Sequence, residues 1–252
     1  YGPIFRSQLL SDKIRSGLKR GHKLKLERLV QIMEESATQD LRGVKLLPVL
    51  LRAVGKPRDP KLRAAVKLLS DWHRRGSHRR DLNKDGHYDD DAAVTLMDAW
   101  WPLVRKATFQ PKMRSALFNQ MLRMLPPDTA LSTSVVQPPA FETDWWGLVS
   151  KDLRTVFDRR PPPGHFSSKY CGGGSKRKCR LALRLSLMQA LGISRHQLYG
   201  GDSTCAGDHR EEASCYDETS STSASGVSIP DFPWINRPTF QQTIELTRKL
   251  AR

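Results

Sequence analysis

Five aspartates crowd into the eleven residues DLNKDGHYDDD, Asp81 to Asp91, of a chain whose formal charge is +16. Asp81, Asn83, Asp85, Gly86, His87 and Asp89 follow the pattern D-x-[DN]-x-[DN]-G, with another acid four residues after the third oxygen-bearing side chain. Oxygens on alternate residues of a tight turn converge on one point, Gly86 permits the turn, and the His87 carbonyl can add a donor. Calcium takes such a set, about six to eight oxygens. Asp81, Asn83, Asp85, His87 and Asp89 are therefore the candidate calcium ligands, in a structural role. The twelfth position, where a complete loop of this kind carries a bidentate Glu, is Ala92, with Asp90 or Asp91 as substitutes. A metal-free turn competes: Asp89, Asp90 and Asp91 would cap the following helix and face its positive end, while Arg79 and Arg80 neutralise Asp81. Both readings stay open, and neither makes the loop an active site.

The cysteines come next. All four sit late, at Cys171, Cys179, Cys205 and Cys215. The sequential pairing, 171–179 and 205–215, closes two short loops and is the expected one of three connectivities. Four free thiols, or a zinc site built from all four, are the alternatives, but neither pair has a CxxC-like spacing. Disulfides imply an oxidising compartment, hence an extracellular or periplasmic location.

No further chemistry is spelled out. P-loop, GxGxxG, GxSxG and HExxH motifs do not occur. CGGGS is glycine-rich but lies between cysteines without a strand-to-helix context. His22, His73, His78, His87, His165, His196 and His209 are scattered, none at metal-ligand spacing with another. The residues alone contain no complete catalytic constellation.

The elements that must position these groups read as helices. HKLKLERLVQIMEE puts Leu26, Leu29, Val30 and Met33 on one face. TQDLRGVKLLPVLLRAVG continues with Leu41, Val44, Leu47 and Leu51, with a kink expected at Pro48 and a stop at Gly55 and Pro57. DPKLRAAVKLLSDWHRRG offers Leu62, Val66, Leu69 and Trp72 or His73, with Pro60 near the first turn and Gly76 at the stop. DDDAAVTLMDAWWPLVRKA has a buried stripe of Val94, Met97, Trp101 and Val104 and ends on Arg105 and Lys106. PKMRSALFNQMLRML is a separate amphipathic helix. DWWGLVSKDLRTVF follows with Asp144 as cap, and RLALRLSLMQALG stops at Gly192. The organisation is a helical segment over 1–125, a Pro/Ser/Thr-rich connection over 126–143, and a helical, loop-rich segment over 144–252 that needs its cysteines as staples.

Composition bounds the rest. Hydrophobic residues make up 38% and charged residues 27%, enough for a real core. No run of about 18 apolar residues is present, so nothing reads as crossing a membrane. Residues 1–80 hold 20 Lys+Arg against 7 Asp+Glu, which makes polyanion binding a hypothesis to test. The basic residues alternate with apolar ones at helical spacing, as solvated faces do, and no groove-reading motif is present, so nucleic acid is not the expected partner. Tyr1, with no initiator Met and no leader before it, reads as an internal point of a longer frame.

Several stretches, in order, resemble the penicillin acylase (penicillin amidase) family of N-terminal-nucleophile hydrolases: YGPIFRSQLLSDKIR, SATQDLRGVKLLPVLL, DLNKDGHYDDDAAVTLMDAWW, YCGGGSKRKCRLAL, QLYG and NRPTFQQTIEL. The resemblance is to the carboxyl-terminal part of the β-subunit of secreted bacterial members. It implies the helical C-terminal portion of an αββα fold, with the α-subunit and the N-terminal part of the β-subunit of the same precursor as partners. It also implies cleavage of a small acyl-amide to carboxylate and amine. In the family a serine at the β-subunit amino terminus attacks, its own α-amine is the base, and backbone and Asn donors hold the oxyanion. That serine is expected outside this chain, so the chain alone is expected to be inactive. YGPIFR places Arg6 where the family has an arginine supporting the catalytic Asn. No cofactor is required for the chemistry, and the family's own calcium site is not carried over to the Asp81–Asp91 loop. The competing hypotheses are a basic polyanion-binding helical module and a calcium-dependent interaction module.

Overall fold

The computed structural model describes residues 6–19, 23–124, 145–158, 169–199 and 211–213. Helix α1 (Arg6–Gly17) lies against α2 (Leu26–Thr38), burying Leu9 and Ile32 between them. Lys13 Nζ reaches Glu35 Oε2 across the pair at 2.5 Å. The buried stripe of α2 is rotated from the one expected: Ile32, Ser36, Ala37 and Thr38 are buried, while Val30 is exposed. The rotation follows from position, since the last turn of α2 runs into the polar core described below.

At Pro48 the expected kink takes a specific form. A π-turn, Arg42–Leu46, leads directly into α3 (Leu47–Val54), and the Leu47 N–H reaches back five residues to the Arg42 carbonyl. Proline has no N–H to give and its ring crowds the carbonyl four residues back; a widened turn ahead of it absorbs both problems. Gly55 ends α3 at φ 67°. Helix α4 (Pro60–Arg74) begins as expected with Pro60 in its first turn, and the structure adds a cap, the Asp59 carboxylate accepting from Leu62 N at 3.0 Å. The two helices read over 91–124 form one run, α5 (Asp91–Met124), broken only at Arg114, φ 62°. Helix α6 spans Trp146–Phe157; its expected cap, Asp144, lies outside the described residues, as does the 126–143 connection. A 3-10 turn, Cys171–Gly174, precedes α7 (Lys176–Ala190), and α8 (Arg195–Tyr199) follows. No strand occurs among the described residues, only an isolated antiparallel bridge between Gln39 and His78.

Helices α5 and α7 form the central contact, with α3, α4 and α6 packed around them. The expected stripe of Val94, Met97, Trp101 and Val104 is fully buried, joined by Trp72 and Trp100. Trp100 Nε1 donates to Ser186 Oγ at 2.9 Å, which satisfies the indole where α5 meets α7. Each large apolar side chain buried this way contributes roughly 1.5–3 kcal/mol. Helices from both sides of the connection share this core. Helix α7 also caps α3: Arg180 Nε donates to Ala53 O and Arg184 Nε to Val54 O, both at 3.0 Å. Two guanidinium groups thus meet the carbonyl end of a helix, where positive charge is favoured.

Candidate functional site

Helix α1 starts at Arg6, but the Arg6 side chain lies outside the described residues. Cys205 and Cys215 lie outside them too. The other pair is joined: Cys171 and Cys179 form a disulfide with Cα atoms 5.0 Å apart, both fully buried. The buried Asp152 carboxylate of α6 accepts from Tyr170 N at 2.7 Å and Cys171 N at 2.9 Å, tying the disulfide turn to α6. Burial pushes the Asp152 carboxyl up despite these two amides.

The aspartate-rich loop is held by its own amides. Asp81 accepts from Asp85 N and, at 2.8 Å, from Gly86 N; Asp85 accepts from His87 N at 2.9 Å; Asp89 accepts from Leu82 N. Asn83 Nδ2 donates to Asp85 Oδ2 at 2.8 Å. His87 Nδ1 meets Glu212 Oε2 at 2.8 Å, which links the loop to the 211–213 segment. Asp90 pairs with Arg75, and Asp91, the first residue of α5, with Arg195. The three consecutive aspartates thus go to a loop amide, to the arginine that follows α4 and to the first arginine of α8. Among the described residues no three His, Cys, Asp or Glu side chains form a metal-binding group. Arg79 does not neutralise Asp81; it turns inward, to a network that the sequence reading missed.

That network is two arginines and two aspartates with no exposed side chain, plus a tyrosine. Arg42 Nη2 donates to Asp40 Oδ2 and to Asp98 Oδ1, both at 2.6 Å. Arg79 donates to Asp98 through both ends of its fork, Nη1 to Oδ1 at 2.9 Å and Nη2 to Oδ2 at 2.8 Å. The Tyr199 hydroxyl donates to Asp98 Oδ2 at 2.8 Å. Local structure explains the convergence. Asp40 N donates to Ser77 O and Arg79 N to Thr38 O, each at 2.8 Å, so the bridge sets Asp40 beside Arg79. Asp40 also accepts from the amides of Arg42 and Gly43 at the start of the π-turn. Gly43 is required there because a Cβ would come within 2.5 Å of Ser77 Cβ.

The electrostatics follow. Burial raises the Asp40 carboxyl, but the charges of Arg42 and Arg79 outweigh it and hold Asp40 below its ordinary range. Arg42 is raised: burial opposes the charged form, and Asp40 and Asp98 more than offset it. Burial, with Asp98 adding to it, pushes the Tyr199 phenol well up, so it remains a donor. The cluster is charge-balanced and fork-bonded, which is the arrangement a buried ionic group needs to persist. It holds four segments in register and offers no nucleophile paired with a base. The one signal for it was the run Gln39-Asp40-Leu41-Arg42, where charged residues alternate with an apolar one at a place the helical period assigned to the core.

Beside the bridge, clefts of about 420 and 350 Å³ share His78, Arg80 and Leu82. His78 Nδ1 lies 2.8 Å from the Thr38 hydroxyl. Burial, then the nearby positive charges of Arg80 and Lys13, push His78 down to about 4.

The described residues form a disulfide-tied helical scaffold built around a buried, charge-balanced polar centre. The chain belongs to the penicillin amidase family: the model of that family, penicillin amidase, matches residues 1–209. No curated protein matches the chain. Family membership makes amide hydrolysis the class of activity in which these helices take part.

Proposed function

We propose that the chain is the carboxyl-terminal β-subunit portion of a secreted acyl-amide hydrolase, with the attacking serine and the oxyanion donors on other polypeptide of the same precursor. The family match over residues 1–209 carries this reading. The Cys171–Cys179 disulfide supports an oxidising, extracellular or periplasmic setting. The proposed reaction is acyl transfer: the serine attacks the amide carbonyl, the amine leaves with the proton taken from the serine, and water releases the carboxylate. The substrates proposed are the side chains of penicillins, acyl-homoserine lactones or lipopeptides. Arg6 is proposed to support the Asn that stabilises the oxyanion.

The test uses a chromogenic acyl-amide. The 252-residue chain is expected to show no turnover, and the complete enzyme is expected to lose about 100-fold or more in kcat on Arg6→Ala with its unfolding temperature unchanged. Turnover by the chain alone, or wild-type kinetics in the variant, would overturn the corresponding half.

Calcium at Asp81, Asn83, Asp85, His87 and Asp89 is a separate proposal. Its support is the oxygen-rich spacing; against it stand the loop amides that already take these carboxylates. A calcium-dependent rise in unfolding temperature that disappears in Asp85→Ala is the expected outcome, and equal temperatures with calcium and with chelator would leave a self-capped turn.

A further inference from the structure

On α4 the spacing assigns Val66 to the core stripe with Leu62, Leu69 and Trp72, but in the structure Ala65 takes that place. Val66 is left half-buried at the surface, and a cleft of about 360 Å³ opens over it. One wall of the cleft is the helix: Arg63, Val66, Lys67 and Ser70 stand at i, i+3, i+4 and i+7 and so share a face. The other wall is the loop that ends α3, residues 55–57, with Pro57 buried. That loop is anchored to α7, because Arg184 donates to Val54 O at 3.0 Å and to Lys56 O at 3.2 Å. The cleft therefore lies between two elements that are each tied to the core.

Its lining has two characters. Pro57, Val66 and the aliphatic stems of Arg63 and Lys67 supply apolar surface. The charges are unequal: Lys56, Arg63 and Lys67 face a single acid, Asp71. Asp71 is already engaged, by Lys67 and by Arg74. Arg63 Nη1 donates to the Arg58 carbonyl at 2.9 Å, which steadies the guanidinium and uses one of its five N–H groups. Neither Arg63 nor Lys56 has a carboxylate partner among the described residues. The volume stands near the lower end of the roughly 300–1,000 Å³ of small-molecule sites.

We propose that this cleft binds a small amphipathic carboxylate, its acid group held by Arg63 and Lys56 and its apolar body laid over Val66 and Pro57. The guanidinium fork matches a carboxylate in shape and charge. An inorganic anion such as phosphate would leave the apolar floor wet, and a neutral hydrocarbon would leave the two cations unanswered. This binding draws on none of the chemistry proposed for the precursor.

The probes are hexanoate, acetate, 1-hexanol and inorganic phosphate, titrated into the 252-residue chain and followed by amide chemical shifts and calorimetry. Hexanoate is expected to saturate with a Kd of about 1 mM or tighter, its shifts concentrated at Gly55, Lys56, Arg63, Val66 and Ser70. Acetate and 1-hexanol each keep one half of the recognition and are expected to bind about tenfold more weakly. Arg63→Gln replaces an exposed side chain, keeps the unfolding temperature, and is expected to weaken hexanoate about fivefold or more. Val66→Ser is expected to weaken hexanoate and leave the response to phosphate unchanged; if it also lowers the unfolding temperature, Arg63→Gln and the probe series decide alone. Acetate binding as well as hexanoate overturns the proposal, because the apolar floor then contributes nothing. Hexanoate shifts spread over the basic surface and reproduced by phosphate overturn it too, since they report screening of the +16 charge. Unchanged hexanoate affinity in Arg63→Gln has the same force, as does a titration still unsaturated about tenfold above 1 mM.

Discussion

Asp98 is the residue on which the polar centre turns. Its carboxylate accepts four hydrogen bonds: one from Arg42, two from Arg79 and one from Tyr199. None of these charged side chains has exposed area to offer water in exchange. Removing one member of such a group leaves the others buried and uncompensated, a cost of about 3–5 kcal/mol. Asp98→Asn is expected to lose that much stability in denaturant unfolding, because two guanidinium groups would then share only Asp40. Tyr199→Phe, which deletes the hydroxyl's hydrogen bond to the charged Asp98 together with the one it shares with Thr95, is expected to cost about 1.5–3 kcal/mol or more. A loss near zero for Asp98→Asn would show that the network is not what holds the bridge, the π-turn, α5 and α8 together.

At the scale of elements, the disulfide turn shows how one small unit is specified. Gly172, Gly173 and Gly174 all have positive φ, at 59°, 61° and 90°. The first is also trapped by backbone: a Cβ on Gly172 would lie 2.3 Å from Cys179 N, one on Gly174 would press on the Lys169 side chain at 3.1 Å, and nothing comes within 4 Å of one on Gly173. Gly173→Ala should therefore cost only the left-handed backbone term, about 1–2 kcal/mol. Gly172→Ala should cost distinctly more, about 2–4 kcal/mol, because the start of α7 must shift to admit the methyl. Paired thermal unfolding of the two variants checks the difference, and equal losses would contradict the crowding argument. The π-turn ahead of Pro48 and the arginine-capped end of α3 belong to the same scale, each answering a backbone problem set by one neighbouring residue.

For the whole molecule, the proton balance sets how stability varies with pH. His78 titrates near 6.5 in an unfolded chain and near 4 in the fold, so between those values the unfolded state binds the extra proton. Stability is therefore full above about 6.5 and falls as pH drops toward 4. Asp40 has a depressed folded value, so its contribution is present above its ordinary 3.8 and is lost as pH falls below it. Tyr199 acts at the other end: its raised value means the unfolded chain loses the proton first, and stability falls as pH climbs past 10. Denaturant midpoints across the acid range are expected to decline in two stages, and His78→Gln is expected to flatten the upper one. A variant with the wild-type profile would show that His78 is not the group responsible.

Much was legible from periodicity and local rules. The helical class, the stripe of Val94, Met97, Trp101 and Val104, the Pro60 start of α4 and the 171–179 pairing needed only the spacing of apolar residues, the fixed φ of proline and loop length, all of which act over a turn or two of chain. The family, too, was carried by short ordered motifs. Tertiary structure alone decided the rest. Arg79 reads as a partner for the adjacent Asp81, yet it bonds Asp98 and Asp40 because the bridge of residues 38–40 with 77–79 carries it inward. The leucines of α7 divide into a buried pair, Leu183 and Leu187, and an exposed pair, Leu181 and Leu185, only once α5 occupies one side. A charge or an apolar side chain is placed by whichever long-range neighbour removes it from water, and that neighbour is 19 residues away for Asp98 with Arg79 and 101 for Asp98 with Tyr199, beyond the reach of any local pattern.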